Sequence, residues 1–541
     1  MIVDARSIED GSVIETDLCI VGAGTAGIVL AREFIGHDLR VCLLESGGHG
    51  ADPQTQSLAG GENLGLPYYP LDTARTRQLG GSSTLWHVPI GASRVGARLR
   101  PLDPIDFEAR DWVPFSGWPF NKQHLDSHYD RAQTICGVRS DSFEPRDWET
   151  AASPSLQLPG NEVQTIIYKF VERDLFAVHY PEQVGKADNV TTFLHANVLE
   201  IETAGDDSVS ALRVATLEGR QFSVKAKFFV LAAGGIEIPR LLLLSNKVQK
   251  DGLGNQHGLV GRFFMEHPHF WQGIFVPTTP DVLRSAALYS DVQTVNGVAI
   301  IGKLALTEAT LRHEKLLNQN VQLMPHRMSD PFKYRRSVPS SVQSFKTFCE
   351  RLLRGDKVSH SHAHLRQIVA GLNEVAAAGA RKIWNSLAGI PQISVFYFAN
   401  MSEQIPDPES RVTLGDGRDL FGQRRTQLNW KIAHQDVQSA LRTQTIIGGA
   451  LERAGLGRFF SEQQDANLPN STEGGYHHMG TTRMHADPKK GVVNANCRVH
   501  GVGNLFVAGP SVFPTGGYAN PVLTIVALTV RLADHLKKLI T

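Results

Sequence analysis

The first residues whose types and spacing could do chemistry are Gly22-Ala23-Gly24-Thr25-Ala26-Gly27, followed at position 45 by Glu45. In such a run the first glycine permits a tight turn and the second lets the backbone approach a pyrophosphate. The third lets a helix pack closely on a strand. Free amides at the start of that helix would face the phosphates with the positive end of its dipole. Glu45 could accept both hydroxyls of a ribose and would repel a 2′-phosphate. The pattern predicts a dinucleotide site and serves NAD and FAD equally. A second glycine-bearing run, Arg77-Gln78-Leu79-Gly80-Gly81-Ser82-Ser83-Thr84-Leu85-Trp86-His87, suits close contact with a phosphate or planar ring. Its composition reads equally as an ordinary loop.

Those residues need elements to hold them. Asp17 to Gly22 is a short apolar run of the kind a buried parallel strand shows, Ile28 to Phe34 reads as helix, and Arg40 to Leu44 reads as a second strand. Farther on, Phe228 to Ala233 reads as a strand running into Gly234-Gly235, and Ile236 to Ser245 as a helix with Pro239 in its first turn. Asn504 to Gly509 is another strand ending in glycine, and Pro521 to Ile540 a long closing helix. Parallel-sheet pieces thus recur at the start, middle and end, which predicts one nucleotide-binding domain assembled from three separated segments. Between them, 276–320 and 391–435 alternate like strands, as in Gln392-Ile393-Ser394-Val395-Phe396-Tyr397-Phe398.

One stretch stands apart in charge. From His326 to Arg366 there are nine Lys or Arg against three Asp or Glu. Val342, Phe345, Phe348, Leu352 and Leu353 recur there at helical spacing, opposite Lys346, Arg351 and Arg354. That pattern predicts a solvated cover over a pocket; a membrane- or partner-facing helix is the alternative. His360, His362 and His364 read as surface residues.

Composition excludes more than it selects. With 541 residues, 42% hydrophobic and 20% charged, the chain can bury a large core without disulfide or metal staples. The balance of 54 basic against 54 acidic residues argues against a nucleic-acid partner. The five cysteines, at 19, 42, 136, 349 and 497, form no Cys-x-x-Cys, which argues against zinc ribbons, iron–sulfur clusters and thioredoxin-type pairs. Cys19 and Cys42 sit in apolar runs and read as buried hydrophobes. No signal peptide and no uninterrupted transmembrane run is visible, so a cytoplasmic home is expected. The sequence is compatible with an oligomer.

The C-terminal stretch Gly475-Tyr476-His477-His478-Met479-Gly480-Thr481-Thr482-Arg483-Met484 is followed by Arg498-Val499-His500-Gly501, Asn504-Leu505-Phe506-Val507 and Gly517-Tyr518-Ala519-Asn520-Pro521. With the two glycine runs, in this order, the chain resembles the glucose–methanol–choline (GMC) oxidoreductases over nearly its whole length, least across 276–390. The resemblance implies an α/β fold: a Rossmann-type FAD-binding domain (1–100, 186–275 and 471–541) intertwined with a substrate domain of antiparallel sheet plus helices (101–185 and 276–470). It implies oxidation of an alcohol carbon by hydride transfer to flavin N5. His477 matches the catalytic histidine, Asn520 the second catalytic position, and His478 a variable neighbour. The implied FAD contacts are Gly22, Gly24, Thr25, Ala26, Gly27, Glu45, Gly80, Gly81, Ser82, Ser83, Leu85, Trp86, Val198, Ala232, Gly509, Asn520, Pro521 and Val522.

The chemistry suits those residue types. A hydride leaves a carbinol carbon more easily as the hydroxyl proton departs, and a base of pKa near 6.5 matches neutral pH. An amide beside it can donate to the developing oxyanion. His477, His478 and His485 make a poor metal site, so no metal is expected. Leu85 stands where pyranose oxidases carry a flavin-linked histidine, which predicts non-covalent FAD. Trp86 and the run Ser116-Gly117-Trp118-Pro119 resemble the pyranose oxidase and bacterial sugar dehydrogenase branch, so the expected substrate is a sugar, glycoside or related alcohol. Oxygen, a quinone or a separate redox protein would take the electrons. A simple-alcohol oxidase and a non-redox lyase of the hydroxynitrile-lyase kind are the alternatives.

Overall fold

The structure, a computed structural model, describes residues 1–91, 93–139, 142–205, 207–328, 393–461 and 472–540. Its first sheet has eight strands in the order Ile2–Asp4, Val190–Leu194, Val41–Leu44, Val13–Val21, Gln221–Leu231, Val209–Ala215 and Asn197–Thr203, with Leu505–Val507 also on Gln221–Leu231. The pairings from Ile2–Asp4 through Gln221–Leu231, and that of Leu505–Val507, are parallel; the two at the Asn197–Thr203 edge are antiparallel. Leu18, Cys19 and Ile20 are completely buried, as a strand covered on both faces requires. Cys42 is Cys19's buried neighbour across the strands. The helix Val522–Ile540 packs on Thr25–Glu33 and on Asp126–Ile135, tying the end of the chain to its beginning.

The second sheet has nine strands, ordered Gly457–Ser461, His269–Pro277, Ile393–Ser402, Gln319–Met328, Val298–Leu306, Val163–Glu172, Val95–Leu99 and Val88–Pro89, with Gln293–Val295 beside Val298–Leu306. Its pairings are antiparallel. A third sheet joins Arg411–Arg418, Arg424–Asn429 and Gly61–Asn63. Sheet membership therefore does not change at the expected positions. Val88–Pro89 and Val95–Leu99, inside 1–100, belong to the nine-stranded sheet, and so does His269–Pro277, which opens inside 186–275. Backbone pairing over long separations decides this, and periodicity along the chain carries no record of it.

The helix expected at Ile236 begins at Gly234 and runs to Leu244, so Pro239 lies in its interior. A proline there removes the N–H that would reach the carbonyl four residues earlier. The hydroxyl of Thr481 donates to that carbonyl, Gly235 O, at 2.6 Å and takes the place of the missing bond. Most of the basic stretch 326–366, with its expected helix and histidines, lies outside the described residues, as does Cys349. Among the described residues, no helix is long and apolar enough to cross a membrane.

Candidate active site

The carboxyl ends of Val13–Val21, Val41–Leu44, Gln221–Leu231 and Leu505–Val507 open onto one crevice, where parallel α/β sheets place their ligands. Gly22 leads out of the first strand at φ 102°, and a Cβ there would stand 2.9 Å from Ala232 O. A Cβ on Gly27 would collide with Gly22 O. These two glycines are packing positions. Gly24 differs: the nearest atom to an added Cβ is Gly81 Cα, 3.9 Å away, and above Gly509 nothing lies within 4 Å. The backbone is bare where a pyrophosphate would pass and closed where helix meets strand, so the residues present fit a dinucleotide.

The two glycine runs meet here, with the Gly80 N–H donating to Ala23 O at 2.9 Å. Thr25 and Ala26 open the first turn of Thr25–Glu33. The Ser83 hydroxyl folds back onto Gly80 O at 2.6 Å, while Ser82 and Leu85 are exposed. Trp86 is half-buried, edge-on to Phe176. Val198 lies on Asn197–Thr203 and Ala232 follows Gln221–Leu231. Glu45 accepts from Ala23 N–H at 2.8 Å and Gly47 N–H at 2.9 Å. Its carboxylate therefore shapes the glycine turn, leaving only its remaining lone pairs for a ribose.

His477 and Asn520, 43 positions apart, are brought together: Asn520 Nδ2 lies 3.1 Å from His477 Nε2. Asn520 precedes Pro521 and the helix Val522–Ile540, so the amide stands at a positive helix end. Its Oδ1 is buried and without a partner among the described residues. On the other side, His477 Nδ1 lies 2.8 Å from Nδ1 of His267, whose Nε2 is 3.3 Å from Gly516 O.

The proton positions follow from this chain of contacts. A carbonyl only accepts, so His267 carries its proton on Nε2. Burial holds the His267 pKa down at about 4, so the ring is neutral and its Nδ1 accepts from His477. Burial first, then the neighbouring His267, His269 and His478 and the charge of Arg98, holds His477 well below its ordinary value. A neutral His477 with its proton on Nδ1 has an unprotonated Nε2, whose lone pair accepts from the Asn520 amide. That is the arrangement of a general base.

Glu266 organises the loop that carries His477. Fully buried, it accepts from the backbone N–H of Gly475 at 2.9 Å, His477 at 2.8 Å and His267 at 3.2 Å, and from the Tyr68 hydroxyl. Burial, opposed by these bonds, pushes its pKa up to about 7. Tyr476 holds a left-handed φ of 59° and stacks on Tyr69 with ring centres 4.1 Å apart. His478 turns away, 2.9 Å from the Tyr68 hydroxyl. Trp118 is a core residue, 8% exposed, whose indole N–H donates to Thr515 Oγ1 at 3.0 Å, so its side chain is committed to packing.

Sequence reasoning missed Tyr68, Glu266 and His267. Glu266-His267 is the acid–imidazole pair inside Phe263-Phe264-Met265-Glu266-His267-Pro268-His269-Phe270-Trp271. A lone carboxylate in so apolar a run must be buried with partners. That signal was available.

Residues 406–529 match the family model described as GMC oxidoreductase. The 2-methyl-1,2-propanediol dehydrogenase of Mycolicibacterium austroafricanum is 28% identical over 66% of this chain, a match that spans 56% of that protein. The 6'''-hydroxyparomomycin C oxidase of Streptomyces lividus is 24% identical across 96% of this chain and 92% of its own. Among solved structures, pyridoxine 4-oxidase from Mesorbium loti superposes with a TM-score of 0.50 at 17% identity, covering 97% of this chain and 99% of that one. That likeness supports the fold: a Rossmann-type nucleotide-binding part with a second, antiparallel part.

Proposed function

We propose that this chain is a GMC oxidoreductase, as the match of residues 406–529 and its relatives support, and that it oxidises an alcohol group of a small sugar, glycoside or polyol-like molecule with FAD as cofactor. The observation that carries the reading is the hydrogen-bonded run from Gly516 O through His267 and His477 to Asn520, which leaves His477 Nε2 unprotonated, its lone pair accepting from the Asn520 amide. When bound, FAD would supply the two-electron acceptor, taking up hydride as the carbinol carbon becomes a carbonyl.

The protein's own part is positional and electrostatic. His477 Nε2 takes the hydroxyl proton, and Nδ1–H, anchored on His267, keeps the ring from turning. Asn520 Nδ2 donates to the oxygen as it becomes anionic. Gly24, Gly80, Gly81 and Glu45 would hold the dinucleotide, on a turn that Gly22 and Gly27 allow to pack closely. Leu85 offers the flavin no nucleophile, which supports a non-covalent cofactor. Oxygen, a quinone or a separate redox protein would take the electrons onward.

The test is anaerobic mixing of the flavin-loaded protein with sugars, glycosides and simple diols while flavin absorbance is followed. We expect bleaching by at least one of them and release of unmodified FAD on acid precipitation. Flavin that no alcohol reduces would overturn the oxidoreductase reading, and flavin that stays with the precipitate would overturn the non-covalent one.

A further inference from the structure

Both ends of the hydrogen-bonded run lie on one short loop. Gly516 O anchors His267 and Asn520 meets His477, so the backbone from Gly516 to Asn520 closes a ring through the two histidines. The ring keeps its shape only if that loop does. The Asn520 side chain does little to fix itself. Its Oδ1 takes no hydrogen bond from the described residues, so nothing on the oxygen side holds the amide plane. An amide held from one side alone is oriented by its backbone, and here the backbone is gripped from the nine-stranded sheet.

Tyr168, on Val163–Glu172, is completely buried. Its hydroxyl donates at 3.2 Å to Tyr518 O, on the peptide that leads through Ala519 to Asn520. The same hydroxyl accepts from Asn320 Nδ2 at 3.1 Å, and Asn320 Oδ1 accepts from Lys303 Nζ at 2.9 Å. Asn320 lies on Gln319–Met328 and Lys303 on Val298–Leu306, so three strands of one sheet supply this chain. Its direction is set throughout. Lys303 donates to the amide oxygen, which turns the Asn320 N–H groups toward Tyr168. The phenol, already accepting there, gives its own proton to the Tyr518 carbonyl. Bonds aligned in this way strengthen one another in a dry interior.

Neighbouring contacts leave the loop little room. The Tyr518 hydroxyl lies 3.1 Å from Arg100 Nε, which donates to it. Gly517 has a left-handed φ of 52°, and a Cβ there would collide with the Asp106 carboxylate. That carboxylate is itself fixed, accepting from the Asp103 N–H at 2.9 Å and from Asn318 Nδ2 at 2.9 Å.

We propose that Tyr168 is a positioning residue for alcohol oxidation: through the Tyr518 carbonyl it sets where the Asn520 amide stands relative to His477 and the reacting oxygen. The inference rests on the oxidoreductase reading above and deepens it. Asn520 matters most as the substrate oxygen becomes anionic, so a displaced amide lowers the rate of the step more than it weakens binding.

The test follows flavin reduction by the best alcohol of the screen, under anaerobic stopped flow, in the wild type, Tyr168→Phe, Asn520→Ala and the double variant. Tyr168→Phe should keep its flavin and its apparent substrate dissociation constant, while the limiting reduction rate falls about 10-fold. In the Asn520→Ala background the same change should cost less than about two-fold, because the group it positions is gone. Equal slowing in both backgrounds would overturn the proposal. So would a wild-type rate in Tyr168→Phe, or a loss confined to the dissociation constant.

Tyr289→Phe guards against a general effect on the fold. Tyr289 is also completely buried, and its hydroxyl bonds Thr165 Oγ1 at 2.7 Å, on the same strand as Tyr168, and the Leu156 N–H at 2.9 Å. Its loss should lower the melting midpoint and leave the limiting rate unchanged; slowing equal to that of Tyr168→Phe would overturn the proposal.

A readout without substrate separates this placement from the reading beneath it. In protein with isotope-labelled histidine, the His477 ring nitrogens are assigned by their absence from His477→Ala. Asn520→Ala should move the Nε2 signal, and Tyr168→Phe should move it in the same direction. If no alcohol reduces the flavin, the oxidoreductase reading fails, while this signal still decides the placement. An Nε2 signal identical in wild type and Tyr168→Phe overturns it.

Discussion

The glycine crevice and the histidine cluster solve opposite problems. Around Gly22, Gly24, Gly27 and Gly81 the working parts are backbone, and the design removes side chains so that loops touch one another and leave a bare floor. Around His477 the working parts are side chains from distant segments, buried together and kept neutral: His267 lies 210 positions from its partner and Tyr68 lies 410 from His478. The first region can fail by gaining an atom. The second fails by losing one, or by gaining a proton.

The largest effect that would sharpen this contrast is His477→Ala. Removing a general base slows the step it serves by about 10²–10⁴-fold. The flavin should stay bound, because no crevice glycine is disturbed. Stopped-flow flavin reduction with the best alcohol from the screen reads the rate, and the flavin-to-protein absorbance ratio reads occupancy. A variant that reduces its flavin at the wild-type rate would remove His477 from the chemistry.

Gly27→Val attacks the other region and should invert the pattern. Its Cβ would collide with Gly22 O, a backbone atom that cannot swing aside as the end of a side chain can. Overpacking of this kind costs about 1–3 kcal/mol. The expected result is a lower melting midpoint and protein purified with little flavin, while whatever flavin remains is reduced at near the wild-type rate. Full occupancy with slow reduction would mean that the two regions are not separable in this way.

How far each region is legible in the sequence follows from the same contrast. The crevice is written locally: Gly22 to Glu45 is one strand, turn, helix and strand, and the structure returns the helix as Thr25–Glu33 and the strands as Val13–Val21 and Val41–Leu44. Even there, the two backbone N–H groups that Glu45 accepts could not be read from spacing. His477 and Asn520 were reached through family resemblance. Their shared position depends on Met479 pairing with Met265 and on where the closing helix begins, which are tertiary facts. Trp118 illustrates the converse. A tryptophan beside glycine and proline suits a sugar platform and a core equally, and only the Thr515 contact decides between them. A strand running into Gly234-Gly235 puts Pro239 in a helix's first turn; a hydroxyl on another segment allows the helix to begin at Gly234.

Acid should therefore reach the histidine cluster before the crevice, with a smaller effect than either substitution. Burial holds the folded pKa of His267 at about 4 and of His269 and His478 at about 3, all below the unfolded value near 6.5. The unfolded chain binds more protons there, so their contribution is complete above pH 6.5 and is lost as pH falls below it. Glu266 and Asp436 act in the opposite sense. Burial raises both to about 7, so their contribution is complete below the unfolded values, 4.5 for the glutamate and 3.8 for the aspartate, and is lost as pH rises through 7. Between pH 6.5 and 4.5 these histidines, and His477, depressed as well, lose their contribution, while other carboxyls that burial raises, Glu45, Asp106 and Glu473, gain theirs. The loss is therefore local to the histidine cluster: exposure of Tyr68 and Tyr69, followed by near-ultraviolet circular dichroism, should begin as pH falls below 6.5 and precede flavin release. A tyrosine signal unchanged down to pH 4.5 would mean that these histidines are charged, and bonded as cations, in the folded protein.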